Sequence, residues 1–197
     1  SARLPVVARM PTIATPTDQR KGFLFLGRWV SNKGIRVLLE AYRRLSPNSE
    51  DWPLIMLGDG PLRPEVERMI ARNKIEGVHL PGFVSEEERH RYTREAKWMV
   101  TPPHTKEDLG LTPLEARSVR VPCIVSEDGG VMETGGPHAL RCEPGSVESL
   151  LTCLNRAVEM EDDEYERMSN LAKEGLNAYV RPLDEYADEY LKLLGKT

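Results

Sequence analysis

Short apolar runs alternate with amphipathic stretches along most of this chain. The first run, residues 23–26, contains only Phe and Leu and stops at Gly27, as expected for a strand buried on both faces of a sheet. In the next stretch, apolar residues recur every three or four positions, which predicts a helix. Because this pair of patterns repeats, the sequence predicts an α/β fold in which helices cover both faces of a parallel sheet. The predicted strands cover residues 23–26, 54–57, 78–80, 98–100, 121–125 and 139–142.

Proline and polar residues mark where several helices begin. Pro61 suits the first turn of the helix after the second strand, because a proline there loses no helical hydrogen bond. Ser85 followed by Glu88 is a capping-box signature for the next helix. From Asp162 onward the chain is charged and helical in pattern, with one apolar face. That face is formed by Leu183, Tyr186, Ala187, Tyr190 and Leu191.

Composition limits the kinds of partner and the setting. A net charge of -4 provides no basic field that would attract nucleic acid. No apolar run approaches the roughly 20 residues of a membrane span, and residues 1–10 lack the apolar core of a signal peptide. An odd number of cysteines without a CxxC pair predicts neither a disulfide framework nor a cysteine zinc site, and it favours a reducing, cytoplasmic setting. These cysteines are Cys123, Cys142 and Cys153.

In a parallel α/β sheet, ligands bind beyond the carboxyl ends of the strands, so the loops that leave the strands are where chemistry is expected. The first such loop, residues 27–34, carries Arg28 and Lys33 between two glycines and leads into a helix. Two cations beside a helix N-terminus could hold a diphosphate. Two solvated surface charges are an equal alternative on this pattern alone.

Two further glycine-containing loops are open to a structural and a functional interpretation. Residues 58–61 (Gly-Asp-Gly-Pro) most simply form a tight turn between a strand and a helix, although a phosphate could also approach there. Gly129 and Gly130 follow the strand at 121–125, where they permit phosphate contact or form a plain loop. His104 could line a sugar pocket, whereas an ordinary surface-loop histidine is the simpler interpretation.

The loop after the fourth strand contains two glutamates, Glu107 and Glu115, in a Glu-x7-Glu spacing. Glu107 has no capping role and could grip sugar hydroxyls. Residues 112–115 also form a capping-box pattern with Pro113 at the first helical position, so Glu115 could simply bond back to Thr112. The alternative is that its carboxylate accepts hydrogen bonds from the hydroxyl groups of a ribose. The free backbone N–H groups at this helix start, which could meet phosphate oxygens, belong to Gly110, Leu111 and Thr112.

Taken in order, these segments resemble the donor-binding domain of the retaining GT-B glycosyltransferases that share the Glu-x7-Glu motif, the glycosyl transferases group 1. The resemblance covers about residues 21–159. Each motif is weak alone, but the ordered set is specific. Its members are Gly-Arg-x4-Lys-Gly at 27–34, Gly-Asp-Gly-Pro at 58–61, Pro-Gly-Phe-Val at 81–84, Glu107-x7-Glu115 and Gly-Gly-x-x-Glu at 129–133. Leu109 and Arg120 depart from it, standing where an aromatic residue and a glycine are more usual.

The resemblance implies a role for each matched position. Arg28 and Lys33 would bind the donor diphosphate and stabilise the leaving nucleotide, with Glu107 on the transferred sugar; these are the candidate catalytic residues. Glu115 would hold the ribose hydroxyls. Neither a metal nor a cofactor is implied, because the two cations replace a metal as the counter-charge of the diphosphate. The other donor contacts would come from Gly27 by close approach, from Phe83 and Val84 at the base, and from the backbone N–H groups of Gly110, Leu111 and Thr112.

The resemblance also implies an organisation in which this chain is half of an enzyme. Residues 1–20 would be a linker or an N-terminal strand, 21–160 a Rossmann-like nucleotide-sugar-binding domain, and 161–197 helices packed on it or directed toward a missing N-terminal acceptor domain. We expect the isolated chain to bind a nucleoside diphosphate without transferring sugar. The enzyme would be cytoplasmic, reaching a membrane surface only through the missing domain. The alternatives are a non-catalytic nucleotide-sugar-binding or assembly module and a sugar-phosphate epimerase.

Overall fold

A computed structural model of the chain describes residues 13–105, 110–180 and 191–192. Its centre is a six-stranded sheet with the order β3-β2-β1-β4-β5-β6, in which every neighbouring pair is parallel. The predicted parallel sheet is therefore confirmed. The strands are β1 (Lys21–Leu26), β2 (Leu54–Leu57), β3 (Val78–Gly82), β4 (Ala96–Thr101), β5 (Cys123–Ser126) and β6 (Leu140–Cys142).

Helices connect the strands and cover both faces of the sheet. Along β1, Phe23 and Phe25 contribute to one buried apolar cluster while Leu24, between them, contributes to the other. This alternation places a core on each side of the sheet, as the uninterrupted apolar strands predict. The helices are α1 (Ile35–Leu45), α2 (Arg63–Asn73), α3 (Glu86–Glu95), α4 (Leu111–Ser118), α5 (Gly129–Thr134), α6 (Val147–Val158) and α7 (Asp162–Leu171).

Two of the three predicted helix starts need correction. The capping box at the start of α3 is confirmed: the Glu88 N–H donates to Ser85 Oγ, and the Ser85 N–H donates to Glu88 Oε2. Pro61 lies outside α2, whose first turn contains Pro64 instead. The capping box predicted at 112–115 is wrong, because α4 begins at Leu111, two residues before the predicted first helical residue Pro113, and no side chain among the described residues caps it.

Two buried arginines attach the C-terminal segment to the domain. Arg117 is 1% exposed and donates to the backbone carbonyls of Thr134, Ala172 and Glu174. Arg20 is 4% exposed, and among its acceptors are the Arg120 carbonyl and Ser169 Oγ. Both guanidinium groups thereby pair with backbone carbonyls at or just after the ends of helices, where intrahelical donors are lacking. The segment held by these bonds contains helix α7 and the turn at Leu176–Ala178.

The apolar face predicted for residues 183–190 lies outside the described residues. Leu191, the last member of that predicted face, is 41% exposed. Among the helices that the structure describes, none combines the length and the apolar character that a bilayer crossing requires.

Candidate functional site

The strand order reverses between β1 and β4, which opens a crevice at the carboxyl ends of these two strands. The two exit loops are in contact at this point. Gly34 has φ +72°, and a Cβ there would lie 1.7 Å from the Pro102 carbonyl oxygen. The N–H of His104 donates to the Asn32 carbonyl at 3.0 Å. A glycine is therefore required at position 34, and residues 27–34 are fixed against the end of β4.

The Gly-Asp-Gly-Pro loop supports residues 27–34 from the other side. Gly58 has φ +104°, and a Cβ there would lie 2.0 Å from the Gly27 carbonyl oxygen. The Trp29 N–H donates to the Asp59 carbonyl at 2.9 Å, and the Trp29 side chain is fully buried. The structure thus gives this loop the packing role that the sequence favoured.

Arg28 and Lys33 lie on this supported loop. Arg28 is exposed, and no partner for its guanidinium occurs among the described residues. Lys33 is half-buried in the single turn Ser31–Lys33 that immediately precedes α1. No side chain of the described residues caps α1, so within this part of the chain its first N–H groups remain available at the same place. The structure therefore brings both cations to the β1 end of the crevice.

Gly27 differs from its neighbouring glycines. A Cβ at this position would approach only the Phe25 ring, at 3.7 Å, which is an ordinary van der Waals distance. Its backbone does not adopt a positive φ. Within the described residues, packing therefore does not require a glycine here, in contrast to Gly34 and Gly58.

Glu115 is the most unusual side chain of the site. It is 4% exposed, and its Oε1 accepts a hydrogen bond from Arg89 Nη1 at 2.5 Å. Its Oε2 is also buried, and no hydrogen-bond partner for it occurs in the described part of the chain. Burial raises the pKa of the Glu115 carboxyl, while the positive charge of Arg89 acts in the opposite direction. Glu115 is therefore not bonded as a helix cap, and one of its two carboxylate oxygens has no partner in the described part of the chain.

The start of α4 is shaped by packing as well as by free N–H groups. Gly110 is the N-cap residue, and a Cβ there would lie 2.6 Å from Val131 Cγ1 in α5. Leu111 is 40% exposed, and Thr112 Oγ1 lies 3.3 Å from Thr101 Oγ1 at the end of β4. The three backbone positions predicted to face a ligand therefore do lie at the carboxyl end of β4.

Phe83 and Val84 follow β3 and have opposite environments. Phe83 is 81% exposed, which is high for a large apolar side chain. Val84 is half-buried and packs against one of the two core clusters. Val84 thus anchors the segment while Phe83 extends from it.

Other predicted positions are placed less fully. Glu107 and Leu109 lie outside the described residues. His104 is exposed on the β4 loop, where its backbone N–H makes the contact already described. Gly129 and Gly130 form the first residues of α5. No group of three or more His, Cys, Asp or Glu side chains in the described segments is placed to hold a metal ion.

Arg89 is the site residue that the sequence did not single out. It lies in α3 among seven consecutive polar or charged residues, from 85 to 91, which resemble a solvated helix face. The single available signal was its position one turn after the Ser85 cap, which places it at the crevice end of α3.

Comparison with known proteins assigns the chain to a family, because residues 10–175 match the family model of glycosyl transferases group 1. The chain belongs to this family. A relative, the 2-deoxystreptamine N-acetyl-D-glucosaminyltransferase of Niallia circulans, is 29% identical over 167 residues, which are 83% of this chain and 40% of the relative. The chain spans less than half the length of the curated relatives it matches.

Solved structures share the fold. Anabaena HepE, solved with UDP and glucose, has a TM-score of 0.76 at 17% identity, covering 92% of this chain and 50% of that one. The C-terminal domain of a glycosyl transferase group 1 family protein from Francisella tularensis has a TM-score of 0.70 at 18% identity, covering 90% and 96%. The Rossmann-like architecture is therefore that of GT-B glycosyltransferases.

Proposed function

We propose that this chain is the donor-binding domain of a retaining glycosyltransferase, which transfers a hexose from a nucleoside-diphosphate sugar to a glycan, lipid or small-molecule acceptor. The observation that carries the proposal is the buried carboxylate of Glu115 in α4, the helix that follows the end of β4, where Oε2 has no partner among the described residues. An unpaired buried acceptor costs about 1–3 kcal/mol, which a ligand hydroxyl donating to Oε2 would offset. A packing role alone would leave that cost uncompensated.

Each group then has a chemical task. Arg28 and Lys33 bind the diphosphate, and Glu115 accepts the ribose hydroxyls. Glu107 contacts the transferred sugar. When the bond between the sugar and the diphosphate oxygen breaks, negative charge accumulates on the diphosphate and positive charge on the sugar. The two cations stabilise the leaving group, and each ~1.4 kcal/mol of stabilisation specific to the transition state raises the rate about tenfold.

The exposed ring of Phe83 and the backbone of Val84 form one wall for the base in this proposal. Gly27 permits close approach of the diphosphate, and the N–H groups of Gly110, Leu111 and Thr112 meet sugar and phosphate oxygens. The cations serve as counter-charge without a metal ion. We place the enzyme in the cytoplasm.

The chain is proposed to act with an N-terminal acceptor domain of the same enzyme. Two findings support this organisation: the chain spans less than half of its curated relatives, and it covers 96% of a solved C-terminal domain of a glycosyl transferase group 1 family protein. The isolated chain should then bind a nucleoside diphosphate and transfer no sugar. Robust transfer by the isolated chain to any added acceptor would contradict this part of the proposal.

The test is a calorimetric titration of the chain with UDP, GDP and ADP, repeated on Arg28→Ala and Glu115→Ala. Arg72→Ala is the matched control, because it removes an exposed cation from the far end of α2. We expect one nucleotide to bind saturably to the wild type and to the control, and to lose affinity in both site variants. Absence of binding for all three nucleotides would refute the donor-site assignment for this chain.

A further inference from the structure

Glu115 is held by a side chain from a different element of the fold. Arg89 Nη1 donates to Glu115 Oε1 at 2.5 Å and so links α3 to α4. The Arg89 side chain is 29% exposed, whereas that of Glu115 is 5% exposed. Solvent therefore reaches the guanidinium end of this charge-assisted bond, whereas the carboxylate end is buried.

Arg89 is itself well anchored. Its N–H donates to the Ser85 carbonyl at 2.9 Å, which is the first hydrogen bond of α3. Its own carbonyl accepts from Thr93 Oγ1 at 2.8 Å. The capping box formed by Ser85 and Glu88 fixes the same helical turn. The backbone of Arg89 is thus hydrogen-bonded through both its N–H and its carbonyl group, which fixes the point from which the guanidinium extends.

The bond with Arg89 divides the carboxylate into two unequal oxygens. Oε1 is occupied by a cation, and Oε2 is buried without a partner among the described residues. An ionised carboxylate only accepts hydrogen bonds, whereas a protonated one also donates. The two hydroxyl groups of a vicinal diol can both donate hydrogen bonds to an ionised carboxylate. The ionisation and the orientation of the Glu115 carboxylate therefore decide whether it recognises a diol.

We propose that Arg89 is a positioning residue for Glu115: by occupying Oε1, it directs Oε2 to accept a ribose hydroxyl and so makes the site discriminate ribonucleotides from 2′-deoxyribonucleotides. This inference rests on the proposed function. The groups acting on the Glu115 carboxyl are Arg89 and His90, which favour its ionised form, and Glu86, which opposes it together with burial. Arg89 is the only one of these side chains that is hydrogen-bonded to the carboxylate in the described residues.

A purely structural salt bridge between α3 and α4 is the competing explanation, and two readouts separate it from the proposal. The first is the ratio of the dissociation constants of 2′-deoxy-UDP and UDP, or of the matching GDP or ADP pair if calorimetry selects that base. The second is the titration midpoint of the Glu115 carboxyl carbon, followed by ¹³C NMR. The second readout requires no nucleotide.

The variants are Arg89→Met, which keeps the length without the charge, and Arg89→Lys, which keeps the charge. Arg91→Met is the control, because it removes an exposed cation from the same helix, where Arg91 pairs with Glu95. We expect Arg89→Met to reduce the 2′-hydroxyl discrimination on the order of tenfold, the contribution of one hydrogen bond to a charged acceptor. Arg89→Lys should restore part of it, and the control should leave it unchanged.

The NMR midpoint of Glu115 should rise in Arg89→Met and stay in place in Arg91→Met. An unmoved midpoint, or undiminished discrimination in Arg89→Met, overturns the positioning role. If no nucleotide binds to the wild type while the midpoint still rises, the failure belongs to the proposed function, and Arg89 retains its effect on the carboxylate alone.

Discussion

Replacing Arg117 with Met tests how the C-terminal segment is held. Arg117 donates to the Thr134 and Ala172 carbonyls at 2.7 Å each and also to the Glu174 carbonyl. Burial lowers the pKa of this guanidinium, so part of the bond energy offsets the cost of desolvating the charge. Met fills similar space but leaves the three carbonyls without this donor.

The three bonds set the magnitude. Each orphaned carbonyl costs about 1–3 kcal/mol; because Glu174 is an exposed residue, we take the lower end of this range and expect a loss of about 3 kcal/mol for the three. For a domain of this size that corresponds to roughly 6–12 °C in Tm. Amide hydrogen exchange in residues 162–178 should accelerate more than in the sheet.

The assay is thermal and urea unfolding of Arg117→Met beside Arg167→Met, a control that removes an exposed cation from α7. The control should stay within about 0.5 kcal/mol of the wild type. A similarly small effect for Arg117→Met, or unchanged exchange in residues 162–178, would show that the three bonds do not hold the segment.

Three other variants test separate features. Glu115→Gln replaces the buried carboxylate with a neutral amide, which removes the free-energy cost of burying a charge. Because burial raises the folded pKa of this carboxyl, wild-type stability falls as pH rises through that value. The variant should therefore be more stable than the wild type at pH 7 and equally stable below about pH 4. Equal Tm differences at both pH values would contradict this. Gly27→Ala should keep its Tm, since the added Cβ meets only Phe25, yet bind nucleotide more than about tenfold more weakly; unchanged affinity would exclude close approach there. Arg120 has φ +62°, so Arg120→Gly should gain about 0.5–1 kcal/mol in unfolding experiments, and a loss would mean that its exposed contact with Asn170 outweighs the strain.

The parallel sheet was predictable because its signal is local. Apolar runs such as residues 23–26 must be buried on both faces, and their spacing already separates strands from helices. The Ser85–Glu88 capping box is equally local, since both partners lie within one helical turn. The same alternation of strands and helices placed Arg28 and Lys33 in the loop that leaves β1. Ligands of parallel sheets bind at that edge, so this loop was a predictable place for a site.

Pairings between distant polar residues were not predictable. Glu115 fits a local capping pattern with Thr112, but α4 begins at Leu111, and Arg89, which is 26 residues away in sequence, binds the carboxylate instead. Arg117 likewise finds its acceptors in backbone carbonyls, which leave no trace in side-chain identity. Such contacts depend on how helices pack on the finished sheet, so a periodic pattern contains no information about them.

Residues 27–34 are wedged between the Pro102 backbone on one side and the loop at Gly58 on the other. A segment held on both sides cannot swing by itself toward or away from a diphosphate. If the proposed two-domain enzyme opens and closes during its cycle, the backbone carrying Arg28 and Lys33 must move together with the sheet. For that proposed enzyme, substitutions where the two domains meet are then expected to change turnover more than the affinity of this chain for the nucleotide.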